Sequence, residues 1–223
     1  MSYVLPRQTA PEVDAGNPAH AVPPVGSFEQ HGPYLPLITD TVVASLITGE
    51  LAEAYGLFAL PPVPVSCSHE HHAWRATVSV PSAVLAAYVS GICDSVAGSG
   101  FRSLILVNGH GGNYVLANVV QEASATGRRM ALFPAREDWR KARLDAGLDT
   151  GDHEDMHAGE LETSILLHAA RAGWPSGRGP PLGSAGRHGA ATRQARRPCH
   201  LARRAWPQAC STSLPRADRC PVY

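Results

Sequence analysis

The sequence has no apolar run near the roughly 18 residues that a membrane-crossing helix needs. It has no charged start followed by an apolar stretch, so no secretory leader is read at its N-terminus. Its five cysteines include no C-x-x-C pair, and an odd count argues against a disulfide framework. Together these absences make a cytoplasmic location the expectation. No G-x-G-x-x-G occurs and no Gly-Lys-Ser/Thr follows a glycine turn, which excludes the dinucleotide fingerprint and the phosphate loop. No G-x-S-x-G elbow is present either, so a serine hydrolase of that type is excluded.

What is present divides into two unlike parts. Hydrophobic residues make up 44% of 223 residues, enough for one domain with a sizeable core. Residues 1–170 hold 9 Lys+Arg against 18 Asp+Glu, a balance of −9. Residues 171–223 hold 10 Arg and one acid, Asp218, a balance of +9, with three cysteines, Cys199, Cys210 and Cys220. We read residues 1–21 as a flexible N-terminal arm, 22–170 as the folded domain and 171–223 as an Arg/Pro-rich tail, irregular or disordered. The tail has no apolar periodicity with which to offset the entropy of ordering. A shifted reading frame in a GC-rich gene and a true basic extension both give such a composition.

Within residues 22–170, apolar spacing predicts a helix over 41–55, stopped by Gly56. It predicts a proline-interrupted strand over 57–65 and a short strand over 77–80. Pro81 opens a further helix, with Val84, Leu85, Tyr88, Val89, Ile92 and Val96 as its apolar stripe. A strand over 103–107, a helix over 114–126, a strand over 130–133 and a helix over 158–169 follow. In the last of these, Leu161, Ile165, Leu166 and Leu167 are expected to face inward. Alternating strands and helices imply an α/β domain, a mainly parallel sheet covered on both faces. Sites in such sheets lie outside the C-terminal ends of the strands, where His110 falls.

Four clusters carry chemistry. In Glu29-Gln30-His31-Gly32-Pro33, followed by Asp40, two carboxylates and an imidazole suit Zn²⁺ or Mn²⁺. The plainer reading makes Asp40 a helix cap and Glu29 a solvated loop acid. Asn108-Gly109-His110-Gly111-Gly112-Asn113 is a glycine-rich turn with one His after an apolar strand. His157-Ala158-Gly159-Glu160-Leu161-Glu162-Thr163 places two acids in the first turn of a helix, where the dipole alone favours them. Ser66-Cys67-Ser68-His69-Glu70-His71-His72, with Trp74 and Thr77 beyond, is rich in His. His153-Glu154-Asp155-Met156-His157 matches the zincin H-E-x-x-H, but it precedes Ala-Gly and has no suitable acid downstream.

Those four ordered segments resemble the creatininase family. The resemblance implies a three-layer α/β/α fold, a homo-oligomer (usually a hexamer) and two divalent metals per subunit, Zn²⁺ or Mn²⁺ with Fe²⁺ as a variant. It implies hydrolysis of a small amide substrate, with neither membrane nor nucleic acid as partner. By position, Glu29, Asp40 and His110 would hold one metal, and His31 and Asp40 the other. In creatininase a Glu at the Gly112 position completes the second site; here Glu162 is the expected substitute, with Glu160 behind it. His157 matches the family's catalytic His, and His157 or Glu162 would shuttle a proton to the leaving nitrogen. Ser68, Glu70, His71, Trp74, Gly111 and Gly112 would bind substrate. The glycine at 112 argues against creatinine and leaves a cyclic amide, a formamide or a small peptide. The family fold continues past residue 169 with more sheet and helix, which the tail does not resemble. A truncated, inactive relative that still binds metal is therefore the alternative reading.

Overall fold

The computed structural model describes residues 5–151 and 153–171. The predicted tail, apart from the backbone of Arg171, and its cysteines lie outside the described residues. Strands β1 (His20–Val22), β2 (Pro24–Val25), β3 (Phe58–Ala59), β4 (Ser103–Asn108) and β5 (Met130–Phe133) form one sheet. Every pairing is parallel. β3 lies beside β1, β4 beside both β1 and β2, and β5 on the far side of β4. The register sets Val25 opposite Asn108, so the loops that follow β2 and β4 leave the sheet side by side.

Six helices accompany the strands: α1 (Ala10–Gly16), α2 (Thr39–Tyr55), α3 (Ser82–Gly98), α4 (Val115–Ala125), α5 (Arg136–Ala146) and α6 (Glu160–Arg171). Side chains alternate across the sheet along β4. Leu104 and Leu106 join a core with Leu85, Val89 and Leu116 of α3 and α4. Ile105 and Val107 join a second core with Val42, Val43 and Ile47 of α2 and Leu166 of α6, against which Trp139 of α5 packs. The result is the three-layer α/β/α arrangement with a parallel sheet. Among the described residues no helix is long and apolar enough to cross a membrane.

Several local expectations change. Residues 10–16, within the predicted arm, form α1, whose start is closed by Thr9 and Glu12 hydrogen-bonding each other, and β1 begins at His20. The strand over 57–65 is reduced to β3 and one bridge, Val25–Val63, because the prolines at 61, 62 and 64 have no N–H for a ladder. Over 77–80 a single bridge joins Val78 to Phe28. Pro81 caps α3 rather than opening its first turn. The buried stripe of α3 runs through Leu85, Val89, Cys93 and Val96, leaving Val84 and Tyr88 exposed about one helical position away. Leu167 is likewise exposed, while Leu166 and Ala169 are buried. Helix α5 was not anticipated because its sequence is mostly charged. It is anchored by Asp138, whose carboxylate accepts the Ala135 N–H at 2.8 Å.

Candidate active site

The loop after β2, the first turn of α2, the turn after β4 and the loop before α6 converge at the C-terminal end of the sheet. Gly109 permits this convergence, since a Cβ there would lie 2.5 Å from the Asp40 carbonyl oxygen. Asn108 and Asn113 brace the turn: Asn113 Nδ2 donates to Asn108 Oδ1 at 3.0 Å, and Asn108 Nδ2 donates to the His110 carbonyl at 2.8 Å.

Asp40 is the hub. It is buried and does not cap α2, whose N-cap is Ile38 with no side-chain bond. Its Oδ1 lies 3.0 Å from His31 Nε2, and its Oδ2 lies 2.8 Å from His110 Nδ1 and accepts the Ser27 hydroxyl at 2.7 Å. Glu29 is no solvated acid: it is fully buried, neither carboxylate oxygen has a well-formed hydrogen bond, and the Ser68 hydroxyl beside it favours its charge. Three imidazoles approach it: His110 Nε2 at 3.3 Å, His157 Nδ1 at 3.5 Å and His71 Nε2 at 3.7 Å. His31 Nδ1 donates to the Glu29 carbonyl at 3.1 Å, which turns its Nε2 to the carboxylates.

The two acids of α6 separate cleanly. Glu160 accepts from Asp149 N, Thr150 N and Thr150 Oγ1 at 2.8–3.1 Å and so braces a loop. Glu162 points to the centre, with Oε2 4.0 Å from His31 Nε2. His157 sits between two rings, 4.2 Å from His31 and 4.3 Å from His71. Residues 153–157 are turn and bend rather than helix, which removes the zincin geometry.

Of the residues expected to bind substrate, Ser68 is buried, Glu70 Oε1 lies 3.3 Å from His110 Nε2, and His71 stacks on His157. Trp74 is exposed, Gly111 has open space around it, and Gly112 lies against Glu70 and His110. Sequence reasoning missed Gln30, whose Nε2 donates to His71 Nδ1 at 3.0 Å and whose carbonyl meets His157 Nε2 at 2.6 Å. It also missed Ser27 on Asp40, and no periodic signal marks either residue.

The fields in this cluster are strong. Burial opposes ionisation of Asp40, yet hydrogen bonds from His110 and His31 outweigh it and hold the carboxyl well below its usual range. Burial works against the His110 proton, but Asp40 and then Glu29 push that imidazole up to about 9. His31 is raised against its burial by the same Asp40. Burial raises Glu29, and burial with the Asp40 charge pushes Glu162 up to about 7. Burial, then the charge of His31, lowers His157.

The donor set suits a divalent ion. Glu29, Glu70 and His110 form one group of converging ligand atoms, His31, Asp40 and Glu162 a second, and Glu29, His31 and His157 a third, overlapping one. Buried carboxylate oxygens without donors are costly unless a cation satisfies them.

The family model for creatininase, described as creatinine amidohydrolase, matches residues 6–173. The chain belongs to the creatininase family. The match ends at residue 173. A mycofactocin precursor peptide peptidase of Mycolicibacterium smegmatis is 38% identical over 152 residues, 65% of this chain and 56% of that protein. A 3-dehydro-scyllo-inosose hydrolase of Thermotoga maritima is 28% identical over 151 residues, 65% of this chain and 48% of that protein. A solved creatinine amidohydrolase shares the fold at a TM-score of 0.58 and 24% identity, covering 70% of this chain and 66% of that one. This creatininase-family chain thus spans about half the length of these two curated relatives, both of which are named as hydrolases.

Proposed function

We propose that this chain is a metal-dependent amidohydrolase that cleaves a C–N amide bond. The observation that carries the reading is Glu29, a fully buried carboxylate without a well-formed hydrogen bond and with three imidazoles around it. Glu29, Asp40 and His110 would hold one ion, and His31, Asp40 and Glu162 a second, with Asp40 shared. Ions bound there supply Lewis-acid polarisation of the amide carbonyl and an acidified water. Zn²⁺ and Mn²⁺ both accept this set of carboxylates and imidazoles.

The chain's own groups handle the protons. His157 Nε2 donates to the Gln30 carbonyl, so the lone pair of the neutral ring is on Nδ1, which faces the Glu29 carboxylate. Its lowered pKa keeps it neutral near pH 7, able to take a proton at Nδ1 and pass it to the leaving nitrogen. Glu162 is pushed up to about 7 in the ion-free site, so as a ligand it gives up that proton when an ion binds. Its Oε2 accepts the Ala158 N–H at 2.6 Å, which fixes the carboxylate in place.

A short peptide is the substrate class we favour, since relatives at 33–38% identity are named for cutting a precursor peptide. Glu162→Gln and His157→Ala separate ligand from proton carrier. Elemental analysis is expected to show metal lost from Glu162→Gln. His157→Ala is expected to keep its metal while turnover of short peptide amides falls by about 10²-fold or more. Metal loss from His157→Ala would instead make His157 a ligand, through its group with Glu29 and His31.

A further inference from the structure

We propose that Glu70 is a metal ligand at the His110 end of the site, its carboxylate occupying the space that a side chain at position 112 would fill. This rests on the metal-dependent reading above and extends it to a residue outside that ligand set.

The geometry is local and specific. A Cβ at position 112 would collide with Glu70 Oε1 and with His110 Nε2, and would stand 2.8 Å from the Cys67 carbonyl. Glycine there is what admits the Glu70 carboxylate. Glu70 lies in the 3-10 turn His69–His71, which follows the buried Ser68 and points its side chain back over the β4 turn. Glu70 Oε1 and Glu29 Oε2 each lie 3.3 Å from His110 Nε2. His110 Nε2 is held by the Cys67 carbonyl at 2.8 Å; once it gives up that bond to an ion, both oxygens stand near the roughly 3.4 Å that separates two ligands bonded at about 2.1 Å to one tetrahedral ion.

Two further observations point the same way. Both oxygens of Glu29 are buried without a well-formed hydrogen bond, a cost that a cation at this end of the cluster would relieve. Of the three converging groups, Glu29, His31 and His157 overlap the other two, which are of like composition: Glu29, Glu70 and His110, then His31, Asp40 and Glu162. Each set has two carboxylates and one imidazole. Glu70 brings the carboxylates to four, matching the charge of two divalent ions. Glu70 is half-exposed, so a ligand there can also release or admit solvent at the mouth of the site.

The test is Zn²⁺ titration of the ion-free full-length protein by calorimetry, with a chelating dye as competitor. Wild type, Glu70→Gln, Glu70→Ala and the distant surface control Glu53→Gln are compared, and thermal melts of the ion-free forms check folding. We expect Glu53→Gln to match wild type. We expect both Glu70 variants to bind at least one equivalent more weakly by about tenfold or more, the cost already incurred when a ligand loses an outer hydrogen-bonding partner. Their ion-free melts should stay near wild type. Unchanged affinity for every equivalent in Glu70→Gln and Glu70→Ala would overturn the assignment of Glu70 while leaving the metal site intact. No Zn²⁺ uptake by wild type would overturn the metal-dependent reading itself, and this assignment with it.

Discussion

Asp40→Ala is expected to lose all bound metal and at least about a thousandfold in turnover, which corresponds to about 4 kcal/mol of transition-state stabilisation. The size follows from position. One buried carboxylate meets His31 through Oδ1, and His110 and the Ser27 hydroxyl through Oδ2. No other side chain touches both imidazoles through opposite oxygens in this way among the described residues. Alanine also leaves buried donors without acceptors. Removing one partner of such a buried pair costs about 3–5 kcal/mol, so the ion-free variant should melt well below wild type. Asp40→Asn separates the two effects, because it retains the shape and one acceptor while removing the charge. Elemental analysis of Asp40→Asn should show the metal gone and the fold retained. In the same variant the His110 imidazole should fall from about 9 toward its ordinary value, visible by NMR titration. Full metal occupancy in Asp40→Asn would contradict the hub role.

The second large effect is expected at a residue outside the ligand set. Asp155→Ala should lower the melting temperature by about 10 °C, from about 3–5 kcal/mol at a few degrees per kcal/mol. Asp155 and Arg143 are buried together, with the guanidinium gripping Asp155 twice, at Oδ2 through Nη1 and at the backbone carbonyl through Nη2 at 2.8 Å. Asp155 Oδ2 also accepts Thr150 Oγ1 at 3.2 Å and Leu161 N at 3.0 Å. One oxygen therefore ties α5, the intervening loop and the start of α6 together, two residues before His157. Alanine leaves the guanidinium buried without its carboxylate and frees the loop that presents His157. Turnover should fall with stability, while metal at the Asp40–His110 end should stay bound, measured by melting curves and elemental analysis on the same sample. A stable Asp155→Ala with normal turnover would show that the clamp does not position His157.

Much of this was legible in the sequence, for identifiable reasons. Strand β4 is a continuous apolar run buried on both faces, and helix α2 carries apolar residues at helical spacing although its first two turns are buried all round. His110 was legible because a glycine turn at a strand end is where parallel sheets place ligands. The choice between Glu160 and Glu162 was not legible, because both sit in the first turn of α6 and only the fold shows that Glu160 braces Thr150. Glu70 was expected near substrate, whereas its contact with His110 depends on the absence of a side chain at Gly112, forty-two positions later. Asp155 lay inside a motif resembling H-E-x-x-H, and its partner Arg143 belongs to a helix without an apolar stripe to announce it. Long-range polar contacts of this kind leave no local period to read.

The central claim is that this cluster holds catalytic divalent metal. The most direct measurement is metal stoichiometry and amide hydrolysis on the same purified protein, before chelation, after chelation, and after refilling with Zn²⁺ or Mn²⁺. About two ions per chain are expected, with hydrolysis of a short peptide that disappears and returns with them. Uptake should be tighter at pH 8 than at pH 6, because His110 must give up a proton it otherwise holds up to about 9. Hydrolysis that survives complete removal of metal would contradict the account, and stoichiometric metal without turnover of any amide would mark the chain as an inactive relative.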